Sequence, residues 1–559
     1  MLMKKAKDKQ FWDKVRTDIA YQSVVDKIKE YYETARYEEI PTLKYHSRRS
    51  YYDNGNRSEF EGPYFRRRTY LSAVALLVLI YPEKKDYLDE LQEIIWAICE
   101  EYSWVLPAHC DDTLEAGVKH IDLFSAETAF ALAEISYVLE ERLDKVISEK
   151  IKTEIEQRIL NNYEDGSFGW EEYTNNWLAV CGGNIGGALM YLFPEQFQKL
   201  LPRILATMQR FLEAYPEDGT CLEGLAYWTY GFGNYVWFAD LLKQFTDGQI
   251  DLMKKEKVEK ISSYAQNNFL CGNATVSYAD GRMNGKVNVV MQDYLSHIFP
   301  NSVHSLPTEV TEYQAVNVMW MTYFRSLYYF DLIKEPQTLL RQDINLPDAG
   351  QVVINRQNYS LAVKAGHNDE PHNHNDVGNF IVATQKGQIF CDLGAGSYTR
   401  QYFEPETRYN IFCNGSQGHN VPIIDGNYQK EGKEYFGIIS HSENVITVEM
   451  ASAYEVGVVD KLTRKFIYDN RGFKLIDCFS SDSQNVIERF LTLYTPTIQV
   501  NRVIVNGVAL KFDAKKVCVN VSQVKHENHD RNIDTVYCID FEVRHELDNV
   551  EFEFEITKE

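Results

Sequence analysis

Two histidines and three carboxylates crowd the stretch "EPHNHNDVGNFIVATQKGQIFCDLGAGSY", residues 370–398, in a chain with only 13 histidines. His372, His374 and Asp376 are spaced by two, and Asp392 and His419 follow closely. Side chains spaced by two leave the same face of an extended strand, so a strand here would bring the first three to one side. Zinc prefers neutral imidazole nitrogen and carboxylate oxygen, with three or four donors converging from separate segments. His374, Asp392 and His419 make such a two-histidine, one-carboxylate set. His372, on the same face, is then available for acid–base work or for contact with a substrate carboxylate. A solvated, hydrogen-bonded surface strand explains the same spacing without a site. A non-haem iron oxygenase built on His374, Asp376 and His419 is a further alternative, although it leaves the rest of the chain without a role.

Two other clusters carry chemistry-bearing side chains. In "NYEDGSFGWEEYTNNWLAVCGGNIGGALMYL" the amides Asn175 and Asn176 stand among aromatics just before a glycine-rich helix. An amide donates to a carboxylate without adding charge, which suits the neutralisation of a substrate acid. Capping of the helix that begins near Trp177 explains them equally well. In "PEDGTCLEGLAYWTYGFGNYVWF" Tyr227 and Tyr230 are three apart, on one helix face, with Glu223 a turn earlier. A phenol aimed into a cleft can pass a proton to or from a sugar oxygen if its pKa of about 10 is lowered locally. Ordinary core or groove lining is the plainer explanation.

These residues must be positioned by two stretches of different character. Up to about residue 335 the apolar residues recur every three or four positions, as in "YLSAVALLVLIYPEKKDYLDELQEIIWAICEEY", where Pro82 separates two helices. Helices joined by short Gly- or Pro-marked turns stack as hairpins, into an open solenoid or a closed α/α toroid. From 336 onward, short alternating segments rich in Val, Ile, Tyr and Phe, divided by turns such as "DNRG" and "VNG", predict an antiparallel β-sandwich. The linker falls in "LIKEPQTLLRQDINLPDAG". The expected domains are 1–335 and 336–559, an α+β multidomain chain.

Composition narrows the function classes. The 559 residues are 44% hydrophobic and 25% charged, as in globular proteins, and too many for one core. A net charge of −23 disfavours nonspecific binding to nucleic acid or an anionic membrane. No apolar run approaches the ~20 residues that span a bilayer. The opening "MLMKKAKDKQFWDKVRTDIAY" lacks the apolar core of a signal peptide, and the ten scattered cysteines read as reduced thiols, so a cytoplasmic location is expected. Aromatics reach 13%, with 37 Tyr and 8 Trp, which suits either core packing or a groove that stacks on sugar rings.

The combination of a helical half, a β half and "HNHNDVGNF" opening the second resembles the heparinase II/III-type polysaccharide lyases, a group that includes alginate and oligoalginate lyases. "WVLPAH", ending at His109, "NNWLAVCGGNIGGA" and "DGTCLEG" are similar to landmarks of the toroid half in that superfamily. The resemblance implies an α/α toroid followed by a β-sandwich, and β-elimination at O4 of a uronic acid to give a 4,5-unsaturated sugar. It assigns the carboxylate-binding amide to Asn176, with Asn175 beside it, and the catalytic tyrosine to Tyr230 rather than Tyr227. His372 corresponds to an acid–base or carboxylate-contacting histidine, and His374, Asp392 and His419 to the ligands of a structural zinc. Tyr409, in "TRYNIF", corresponds to a tyrosine that approaches substrate, and His109, Glu223, Tyr227 and Trp177 join it as substrate-binding candidates. One departure stands out: several relatives carry a histidine where this chain has Trp177. Its loss leaves Tyr230 as combined base and acid, assisted by His372. A noncatalytic glycan-binding protein of the same fold is the reading that Trp177 would favour. An oligosaccharide substrate fits a cytoplasmic lyase; Arg66–Arg68 in "YFRRRTY" could serve a sulfated one, or simply begin a helix. Members often form homodimers, but nothing in this sequence demands one.

Overall fold

The computed structural model describes residues 2–37, 39–313, 320–480, 485–544 and 548–556. The chain forms two compact units: 1–214, 228–259 and 287–337 make the first, and 215–227, 260–286 and 338–559 the second. The segments 215–227 and 260–286, expected in the helical domain, thus belong with the β half.

The first unit is built of helices. Ser58–Ile80 ends at the predicted break and Lys85–Cys99 follows. Asp122 starts Leu123–Leu139 with a capping box, its carboxylate taking the Ser125 N–H and the Ser125 hydroxyl taking its own N–H. The glycine-rich helix Trp177–Leu192 packs against Leu123–Leu139, Pro194–Glu213 and Gly233–Phe245. Its glycines make that crowding workable. A Cβ on Gly187 would lie 2.5 Å from the Phe130 ring, and one on Gly186 2.6 Å from Phe238. The arginines of "YFRRRTY" are committed inside this unit: Arg67 and Arg68 are buried on Glu101, at 2.8 and 2.7 Å, and Arg66 donates to the Ala35 carbonyl. Arg67 and Arg68 are therefore not the free cations a sulfated substrate would need, whereas Arg66 is exposed.

The second unit is antiparallel throughout its named sheets. A nine-stranded sheet runs in the order Thr497–Gln499, Arg502–Val505, Val508–Phe512, Asn549–Ile556, Gly472–Phe479, Leu462–Tyr468, Val445–Glu449, Gly432–Ser442, Gly366–Asn368. Strands such as Leu462–Tyr468 and Asn549–Ile556 alternate in burial, as a sheet with one covered face requires, and "VNG" forms the expected hairpin turn, with Asn506 at φ 40° and Gly507 at φ 93°.

The five-stranded sheet behaves differently. Its strands Gln351–Asn355, Ser360–Lys364 and Phe380–Thr384 are buried on both faces. Val352, Ile354, Leu361, Val363, Phe380 and Val382 face the sandwich core. Val353, Ala362, Ile381 and Ala383 face Leu270, Cys271, Ala274, Val276 and Tyr278. That second apolar face is what draws 260–286 into the β unit. Hydrogen bonds then fix the segment: Gln388 Nε2 donates to the Thr275 carbonyl at 2.8 Å, Ser277 Oγ to the Asp392 carbonyl at 2.8 Å, and the Ala395 N–H to the Gly281 carbonyl at 3.2 Å. The approach at Gly281 is so close that a Cβ on Gly394 (φ 64°) would lie 2.1 Å from its oxygen. Asp280 is delivered by this stitching.

Candidate active site and metal cradle

The histidine motif is not a strand. Residues 369–379 form turns and coil between Gly366–Asn368 and Phe380–Thr384, and His372 itself is left-handed, at φ 57°. The alternation arises because a buried loop has to satisfy its own polar groups. Asp376 turns away to Lys364, 2.6 Å from its ammonium, so the expected common face and the His374–Asp376–His419 iron triad are both replaced.

His374, Asp392 and His419 do come together. All three are buried, and their ligand atoms lie within 4.8 Å of one another. His419 Nδ1 is 3.2 Å from Asp392 Oδ2. His374 Nδ1 and His419 Nε2 are buried without a hydrogen-bond partner. Orphaned imidazole nitrogen beside a carboxylate is the donor chemistry of a zinc-type site, so these residues fit such an ion. Their support is extensive. Asn379 donates to Asp392 at 2.6 Å, and the buried Arg464 holds the Gly378 and Asn420 carbonyls, at 2.9 and 2.5 Å, while paired with Asp477 and Glu488.

His372 stands beside this cradle with its side chain 16% exposed. Nδ1 meets Asp280 Oδ2 at 2.5 Å, and Nε2 lies 3.4 Å from Glu223 Oε2. The ring stacks on Tyr227 at 4.3 Å. Tyr227 and Tyr398 share a hydroxyl contact of 2.7 Å, and Tyr398 donates to Asp280 at 2.8 Å. Asp280 also receives His374 Nε2 at 3.1 Å and the Tyr402 hydroxyl, with Arg408 4.0 Å away. Arg408 donates to the Asn373 carbonyl, and the Tyr409 hydroxyl is 3.4 Å from Asn373 Nδ2. Burial alone would push the Asp280 carboxyl up, but the hydrogen bonds and charge of His372, with help from His374 and Arg408, hold it well below the usual range. Burial pushes His372 down, and Asp280 and Glu223 outweigh it, so its pKa is raised.

The remaining candidates lie in the first unit. Asn176 is buried at the start of Trp177–Leu192 and makes no cap with its side chain; Asn175 does, accepting the Trp177 N–H at 3.1 Å. His109 gives Nδ1 to Asp122 at 2.8 Å, stacks on Phe124 and meets the edge of the half-buried Trp177 at 5.0 Å. Tyr227 and Tyr230 do not share a regular helix face, because the helix changes to π-type over Trp228–Phe232 and the boundary between units passes between them. Tyr230 lines a cavity with Glu127, Asn184, Asn234 and Arg325. Burial and the neighbouring Glu127 push its phenol well above the ordinary value, opposite to the expected lowering. Glu127 itself is pushed up to about 8 by burial.

Asp280, Glu127, Tyr398, Tyr402 and Arg408 were not singled out from the sequence. The one local signal was the acidic turn "ADG" at 279–281 within a run of small residues.

No protein-family model matches the sequence, and no curated protein matches it either. Solved structures do. A mutant of heparan sulfate lyase HepC from Pedobacter heparinus matches with a TM-score of 0.62 at 12% identity, covering 99% of this chain and 94% of that one. A heparinase III, the BT4657 gene product, matches at 0.56 and 13%, covering 98% and 93%. The chondroitin AC lyase of Streptomyces coelicolor A3, in complex with chondroitin sulphate, matches at 0.57 and 8%, covering 99% and 82%. The chain has the fold of these polysaccharide lyases. Toroid and β-sandwich are therefore the architecture of the lyase fold seen here, and no helix among its described residues is long and apolar enough to cross a membrane.

Proposed function

We propose that this chain is a polysaccharide or oligosaccharide lyase that cleaves uronic-acid-containing glycans, of glycosaminoglycan type, by β-elimination. The likeness along nearly the whole chain to lyases of heparan and chondroitin is the observation that carries the reading. The reaction removes a weakly acidic C5 proton beside a carboxylate and protonates the leaving O4.

The residues' surroundings suit those tasks. Asn176, an uncharged amide at a helix start, would bind the uronate carboxylate. Tyr230 keeps its proton at neutral pH, which favours it as the acid that protonates O4 over the combined acid and base first expected. His372, partly exposed and supported by stacking on Tyr227, offers Nε2 as proton acceptor or carboxylate contact. His374, Asp392 and His419 would hold a zinc ion. Bound there, it would supply a fixed positive charge that ties the three ligand-bearing segments together.

The test is the ultraviolet absorbance of the conjugated double bond, followed while the purified protein meets heparan, chondroitin, hyaluronan and alginate oligosaccharides. A rise with a glycosaminoglycan is expected, and Tyr230→Phe should lower kcat by 10²-fold or more, the scale of a lost general acid, while binding persists. A flat trace with every glycan, together with retained binding, would replace the lyase with a noncatalytic glycan-binding protein.

A further inference from the structure

Asp280 receives more donors than a structural carboxylate needs. Its side chain is fully buried, and its oxygens face His372 Nδ1, His374 Nε2 and the hydroxyls of Tyr398 and Tyr402. An ionised carboxylate has lone pairs only, so each of those groups must donate. His374 therefore carries its proton on Nε2, which leaves Nδ1 bare, and Nδ1 is the buried nitrogen without a partner. His372 must carry a proton on Nδ1 whatever the state of Nε2, which lies 3.4 Å from Glu223 Oε2 and is bare once the ring is neutral.

We infer that Asp280 is a positioning residue for both histidines, one carboxylate fixing opposite tautomers on His372 and His374 so that Nε2 of the first and Nδ1 of the second are presented for use. Two histidines separated by one residue would otherwise be set independently. Here each ring has its own oxygen, Oδ2 for His372 and Oδ1 for His374, and Tyr398 and Tyr402 add one donor to each, so both rings are set by a single side chain. The inference leans on the metal reading of His374, Asp392 and His419 for one readout only, and on the lyase reading for none.

The first measurement is a ¹⁵N histidine spectrum of the folded wild-type protein at alkaline pH, assigned with His372→Gln and His374→Gln. Opposite tautomers are expected, with Nδ1–H on His372 and Nε2–H on His374. The same tautomer on both, or Nδ1–H on His374, would overturn the inference. The second is zinc affinity by competition with a chromophoric chelator. Asp280→Asn should weaken it 10- to 100-fold, the usual loss when a partner of a metal-ligating histidine is removed, and Asp280→Glu should restore part of it. Wild-type affinity in Asp280→Asn would also overturn it. If the variant does not fold, or the wild type takes no zinc, the tautomers decide. Neither readout uses a glycan, so a failure of the lyase reading leaves a distinct signature.

Discussion

A phenol that is to release a proton during a reaction must first hold it, and Tyr230 is made to hold it by burial and by its neighbour Glu127. Glu127 is buried, and burial moves its carboxyl from the ordinary carboxylate range up to about 8. Between those limits the unfolded chain has released a proton that the folded chain keeps, so stability falls as pH rises through the window, by up to about 1.4 kcal/mol per pH unit. Glu127→Gln removes that dependence. Denaturant midpoints should coincide for variant and wild type near pH 5, and the variant should become the more stable toward pH 8.5. Parallel midpoints across the range would mean that Glu127 is already ionised. Such a residue is hard to find in sequence. Glu127 sits in "FSAETAFALAEI", where two acids, Glu127 and Glu134, among small and apolar residues read as the polar side of a helix, and only packing shows that the helix is buried all round.

Among the elements, the glycine-rich helix Trp177–Leu192 shows most plainly that composition encodes approach distance. Gly187→Ala would place a methyl group 2.5 Å from Phe130, and overpacking of this kind costs about 1–3 kcal/mol. Gly62, in Ser58–Ile80, has nothing beyond its chain neighbours within 4 Å of the corresponding position, but Pro63 follows it and disfavours a Cβ-bearing helical residue there, so Gly62→Ala should change stability far less than Gly187→Ala. Thermal or urea unfolding should separate the two variants. The helices, the sandwich strands and the Asn506-Gly507 turn were legible because their signals are local. The histidine loop was legible as a set of donors and misread as a strand, since alternate polar residues look the same whether they face solvent or a buried carboxylate. Asp280 was illegible. It reaches His372 only because a second apolar face on the five-stranded sheet captures 270–278, a fact of tertiary packing with no trace in periodicity.

At the scale of the whole molecule, the net charge of −23 opposes the approach of a polyanionic glycan. Such repulsion acts over the screening length, about 30 Å at 0.01 M salt and 8 Å at 0.15 M. With Arg67 and Arg68 tied to Glu101, those cations do not offset it. For the proposed reaction, kcat/KM on a uronate oligosaccharide should therefore rise as salt is raised across that range. A steep fall would point to a concentrated basic groove.

The second unit is assembled from three separate pieces of chain, and that has a consequence for its birth on the ribosome. Asp280 is synthesised 92 residues before His372. At ~5–20 residues per second, that interval is on the order of 5–20 s, during which the carboxylate has no histidine to answer it. The segment 270–278 likewise waits for the sheet that will cover it, with its apolar side chains open to solvent or to chaperones. The part of the protein that organises the site is thus made early and completed late, and the histidine loop closes over an acid that has been waiting for it.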